Sequence, residues 1–206
     1  MLTAPLSARQ TSGVLYLHGF NSGYGSPKSA LMRDACKTLA LPCETPQLPH
    51  RPLAALRLAE SLLAKLGPRP LLVGSSMGGF LATCLAERHD LPAALINPAV
   101  RPVRLVSEWI GEAFVNEHTG ERFTVETAHR EELDALTPQV VVPERYLLLL
   151  GSADETLDPA DAFALYRGAR TVIHPGGDHV FSPLASYLSA VFAHGGHRLM
   201  AGPSVQ

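Results

Sequence analysis

Cysteine is scarce, with Cys36, Cys43 and Cys84 the only three in 206 residues. An odd number with no CxxC pair and no metal-ligand spacing excludes a disulfide framework, and it predicts reduced thiols in a reducing compartment. Charge of one sign is lacking too. Lys and Arg total 17 against 19 Asp and Glu, a net charge of -2 with no basic run. The electrostatic footprint for nucleic acid or an anionic membrane surface is therefore missing, and neither partner is expected. No apolar run approaches membrane-spanning length, and residues 1–12 are interrupted by Pro5 and polar side chains where a secretory leader is continuously apolar. The expected location is the cytoplasm.

What is present is mostly apolar. Hydrophobic residues make up 46% and charged residues 17%, with mean hydropathy +0.10. This predicts one well-packed core in a single domain spanning 1–206. Short apolar runs alternate with segments of helical period, the pattern of strands joined by crossover helices in a mainly parallel α/β sheet. Strands are predicted at 14–17, 71–73, 93–96 and 146–150, with weaker ones at 44–47 and 171–173, about six in all. Ser26-Pro27, Asp158-Pro159 and Ser182-Pro183 each read as a cap followed by a first-turn proline. Leu53, Leu56, Leu63 and Leu66 suggest a further helix. Met77, Phe80, Leu81, Cys84 and Leu85 follow helical spacing most closely. Residues 101–139 break the alternation, are more polar and hold the only tryptophan, Trp109; they read as an inserted cap. The tail from His194 to Gln206 reads as loose.

Gly74-Ser75-Ser76-Met77-Gly78 matches GxSxG, directly after a predicted strand and directly before the best helix. In that context the serine sits on a sharp, strained turn with its hydroxyl exposed, and small neighbours avoid clashes. Ser76 is the expected nucleophile; Ser75 occupies the variable position. The amide of Met77, at the helix N-terminus, is a natural donor to developing negative charge. The plainer alternative is a glycine-rich turn with a capping serine that holds phosphate on free amides.

A serine hydroxyl needs a base, and that base needs an orienting acid. Behind such an elbow the chain order is nucleophile, acid, histidine, the last two on loops after later strands. His179, in Gly176-Gly177-Asp178-His179 before the last helix, fits the base. His174 reads as a structural hydrogen-bonding group, and His129 as a solvated helix-face histidine that could also line the pocket. Asp154 follows the strand ending at Leu150 and is the expected acid. Asp158 is its rival but is explained as an N-cap, while Glu155 and Asp178 read as surface residues. A second oxyanion donor is expected from His18-Gly19-Phe20-Asn21-Ser22, at the amide of Phe20, with His18 bracing the loop. A metal site at His194 and His197 lacks further ligands.

Together these residues resemble the small bacterial esterases of the YqiA-like, UPF0227 family in the α/β-hydrolase superfamily. The resemblance runs through residues 15–22, Pro46-Gln47-Leu48-Pro49 and Val73 to Gly79. It continues through Asn97-Pro98-Ala99-Val100-Arg101-Pro102, Asp154 to Asp158 and Gly176 to Phe181. The segment from Asn97 is the more telling part, because hydrolases in general share the elbow without it. The resemblance implies an α/β-hydrolase fold and an esterase for small acyl esters, with acyl-CoA thioesters or an idle binding protein as alternatives. It supports Ser76, Asp154 and His179 as the triad and implies no cofactor or metal. Met77 stands where the family often has leucine, and Asp178 where asparagine is common. A carboxylate at 178 is expected to raise the basicity of His179.

Overall fold

The structure, a computed structural model, describes residues 10–199. Six strands form one sheet in the order β2-β1-β3-β4-β7-β8: β1 (Val14–Leu17), β2 (Cys43–Glu44), β3 (Leu71–Ser75), β4 (Ala93–Ile96), β7 (Tyr146–Gly151) and β8 (Arg170–His174). Every neighbouring pair is parallel. All six coincide with predicted strands, and the weak one near 44–47 shrinks to two residues.

The four inner strands are buried throughout, which explains why they read as continuous apolar runs rather than alternating ones. Leu15, Leu72, Leu95 and Leu148 face one side, beneath helices α2 (Pro52–Leu62), α3 (Met77–His89) and α6 (Pro159–Leu165). Tyr16, Val73, Ile96 and Leu149 face the other, beneath α1 (Pro27–Thr38) and α7 (Leu184–His194). Helices on both faces follow from the parallel crossovers, and the loops at the carboxyl ends of the strands are left to carry a site.

Between β4 and β7 the chain adds α4 (Pro102–Glu108), an antiparallel hairpin of β5 (Ala113–Val115) and β6 (Arg122–Thr124), and α5 (Thr127–Leu136). The hairpin was not expected, since three-residue strands are too short to show a period.

Ser26 caps α1 by accepting from the Ser29 amide, and Asp158 caps α6 by accepting from the Ala160 amide at 2.8 Å. Ser182 does not cap α7, which begins after Pro183; its hydroxyl donates to Asp178 Oδ2 at 3.2 Å. The tail is not loose as far as it is described. His194 Nε2 lies 2.8 Å from the Arg145 carbonyl, and His197 Nε2 lies 2.9 Å from the Thr11 carbonyl. Residues 1–9, which cover most of the expected leaderless stretch, and 200–206 lie outside the described residues. No helix among the described residues is long and apolar enough to cross a membrane, and all three cysteines are free.

Candidate active site

Ser76 joins β3 to α3 at φ 53° and ψ -121°, a conformation that costs a non-glycine residue about 1–3 kcal/mol. The turn is held by backbone packing that only glycine permits. A Cβ on Gly78 would lie 2.0 Å from the Leu17 carbonyl oxygen, and one on Gly74 would lie 2.3 Å from that of Gly78. The Ser76 amide donates to Ile96 O, and its carbonyl accepts from Ala99 N, so β4 fixes the elbow from the side.

Ser76 Oγ lies 3.1 Å from His179 Nε2, and His179 Nδ1 lies 2.8 Å and 3.0 Å from the two oxygens of Asp154. A carboxylate only accepts, so Nδ1 carries a proton and Nε2 is free to accept from the serine hydroxyl. The Asp154 side chain is 1% exposed. Burial pushes its pKa up, but bonds from His179 and the amides of Leu157 and Thr156 outweigh burial and hold it below the usual carboxylate range. Those amides also give Asp154 a local turn-forming duty that the sequence did not suggest. Four lone-pair sites let one carboxylate fill both roles.

The loop bearing His179 is tied down at three places. Its amide donates to Glu155 Oε2 at 3.0 Å, so Glu155, read as a surface residue, also holds the loop. Asn97 lies at the end of β4, 3% exposed and at φ 40°. Its Oδ1 accepts from Gly151 N at 2.8 Å, and its Nδ2 donates to the carbonyls of Asp178 and His179 at 2.8 and 3.1 Å. One buried amide thus joins the acid strand to the histidine loop. The sequence flagged this segment only through the resemblance; the signal for a role was a polar residue directly after an apolar strand. The Asp178 carboxylate is engaged within its own turn. Its oxygens accept from the amide and hydroxyl of Ser182, the nearer donors in the turn.

His18 follows β1. Its Nε2 accepts from the Leu48 amide at 3.0 Å, so Nδ1 holds the proton and donates to Gly19 O at 2.8 Å. Burial lowers its pKa, in keeping with this neutral form. The loop it braces passes over Ser76, and a Cβ on Gly19 would stand 3.2 Å from Ser76 Cβ and 3.8 Å from Oγ. Neither the Phe20 nor the Met77 amide has an acceptor among the described residues.

Beside this loop a cavity of about 50 Å³ opens, several times what one water requires. Gly19, Phe20 and Met77 line its near end, while Val106, Phe123 and Leu133 line the walls. The Phe20 ring packs on Trp109, Phe114 and Phe123 at 4.8, 5.0 and 5.7 Å. Asn116 Nδ2 donates to Ser22 O, and Asn21 Nδ2 donates to Val115 O. His129, expected to be solvated, is 2% exposed and lies in the cavity wall, because its ring turns back to cap α5. His174 takes the expected structural place, with Nδ1 2.8 Å from Tyr187 Oη.

Several solved structures share this architecture. Est1E from Butyrivibrio proteoclasticus, with ferulic acid bound, aligns at TM-score 0.62 and 16% identity, over 92% of this chain and 90% of its own. The esterase domain of a Rhodothermus marinus protein aligns at 0.62 and 20% identity, over 95% and 88%. The monoacylglycerol lipase of Paleococcus ferrophilus gives 0.58 and 14%, over 88% and 94%. Identities this low establish the α/β-hydrolase fold and nothing finer. The model of UPF0227, an uncharacterised protein family, matches residues 13–195. Since that span takes in every strand and helix described, this chain belongs to the UPF0227 family.

Proposed function

We propose that this protein is a serine esterase that cleaves small acyl esters through an acyl-enzyme intermediate. The observation that carries the reading is the continuous hydrogen-bonded line from Asp154 through His179 to a Ser76 hydroxyl on a strained elbow. His179 Nε2 takes the Ser76 proton as Oγ attacks the ester carbonyl carbon. The carbonyl oxygen gains the negative charge and is held by the Met77 and Phe20 amides. When the tetrahedral intermediate collapses, the C–O bond to the alcohol breaks and His179 returns the proton to the leaving oxygen. Water, deprotonated by His179, then releases the acid by the same steps. Asp154 stays ionised throughout and fixes the imidazole tautomer. None of these steps needs a metal or cofactor.

The segment 101–139 acts as a cap over the cavity. We assign the acyl chain to this cavity, because Phe20 and Met77, whose amides hold the carbonyl oxygen in this mechanism, line it, and we assign the leaving group to the side of His179, which does not.

The test is hydrolysis of a chain-length series of chromogenic acyl esters by the wild type and Ser76→Ala, with fluorophosphonate labelling alongside. Turnover is expected to fall by about a thousandfold or more in Ser76→Ala, with labelling lost and the melting temperature retained. A folded wild type that neither turns over nor labels defeats the reading.

A further inference from the structure

Among the apolar side chains of the cavity stand His50, Glu121 and His129, and the hydrogen bonds of the two histidines fix where their protons sit. His129 Nδ1 accepts from the Glu126 amide at 3.0 Å, and a backbone N–H can only donate. The proton of a neutral His129 therefore sits on Nε2, which lies 3.0 Å from His50 Nδ1. Burial, followed by the nearby His50 and Arg51, lowers the His129 pKa and keeps it in this neutral form. His50 Nδ1 is thereby an acceptor, and the His50 proton sits on Nε2. The His50 ring is held flat against Phe123, with centroids 4.4 Å apart and planes at 10°.

His50 Nε2–H faces Glu121 Oε1 across 3.8 Å, and both residues line the cavity. That separation is too long for a hydrogen bond, yet an oxygen between them can lie about 2.8 Å from each. The bridging group must accept from N–H and donate to a carboxylate at once. A hydroxyl does both, whereas a methyl group only displaces solvent from between them and a carboxylate is repelled by Glu121.

We propose that this cavity selects acyl groups carrying a hydroxyl on the chain, bound between His50 Nε2–H and the Glu121 carboxylate. The assignment rests on the serine-esterase reading for which arm of the substrate enters the cavity. Selectivity arises because an apolar chain at this place pushes solvent off the pair without replacing its hydrogen bonds, whereas a hydroxyl replaces them.

The experiment compares kcat/KM for p-nitrophenyl esters of hexanoic, 3-hydroxyhexanoic and 6-hydroxyhexanoic acid, using the wild type, His50→Phe and Glu121→Ala. Glu121 is about half exposed, so its truncation keeps the fold even where His50→Phe does not. The expected result is a preference of at least fivefold for one hydroxylated ester, falling below twofold in each folded variant. Equal rates on all three esters, a preference for hexanoate, or a preference that survives Glu121→Ala overturns the inference and leaves the esterase reading intact. If the wild type hydrolyses none, the esterase reading fails. The inference is then judged by binding of the free acids, read from the fluorescence of Trp109, which packs on Phe20. Tighter binding of a hydroxy acid, lost in Glu121→Ala, upholds it; equal binding overturns it.

Discussion

The strand ends that carry Ser76, Asp154 and His179 are built differently from the segment between β4 and β7 that overlies the cavity. At the strand ends, main chain packs directly on main chain, and the Asn97 side chain ties those backbones together. Gly78 lies against Leu17, and a Cβ on Gly151 would lie 2.4 Å from the Gly177 carbonyl oxygen. The overlying segment is fixed by side chains instead: the aromatic cluster on Phe20, the His50–His129 pair and Asn116. Close backbone contacts, braced by Asn97, set the positions of Ser76, Asp154 and His179. Side-chain contacts shape what may approach them, and they can change without disturbing the sheet.

Removing Asn97 should break the first region most. Asn97→Ala leaves the Gly151 amide and the His179 carbonyl without their partner, while the Asp178 carbonyl keeps the Phe181 amide; the loss is about 1–3 kcal/mol of stability. It also frees the histidine loop, so kcat is expected to fall about ten- to a hundredfold with little change in KM. A destabilised variant with unchanged kcat would make Asn97 structural only.

Phe114→Ala tests whether the two regions are separable. Each aromatic pair is worth about 0.5–1.5 kcal/mol beyond its burial. Since Phe114 touches Phe20, the proposed oxyanion donor, steady-state kinetics should show KM rising and kcat falling, each severalfold. A change in KM alone would mean that recognition and chemistry are independent.

The smallest effect is on stability against pH, and it spans both regions. Burial lowers the pKa of His18 at the strand end, His129 in the overlying segment and His194 on α7 from the ordinary 6.5. With folded values depressed, the unfolded chain binds protons more readily. Stability is full above about pH 6.5 and is lost as pH falls through the folded values. Urea midpoints should therefore decline below pH 6.5, and His129→Gln should flatten that decline.

The sheet was legible because buried parallel strands are apolar on both faces, so 14–17, 93–96 and 146–150 needed no period to be read. Ser76 and His179 were legible because glycines and chain order mark turns that the backbone itself requires. Asp154 was placed by position after β7, but its bonds to Thr156 and Leu157 were not visible. The pairing of His50 with His129 was hidden for a different reason. These residues are 79 apart, and the burial of His129 depends on its ring folding back on its own helix. The bonds of Asp178 to Ser182 were likewise not visible in the sequence.

Phe20 has one further consequence. Its ring belongs to the aromatic cluster of the overlying segment, while its amide belongs to the loop above Ser76. The lineage of this fold is therefore not free to trade that segment as a cassette. Any replacement must offer Phe20 a seat of the same shape, or the amide proposed as oxyanion donor is displaced with its ring. On the proposed mechanism, substrate range and catalytic competence are inherited together through a single residue.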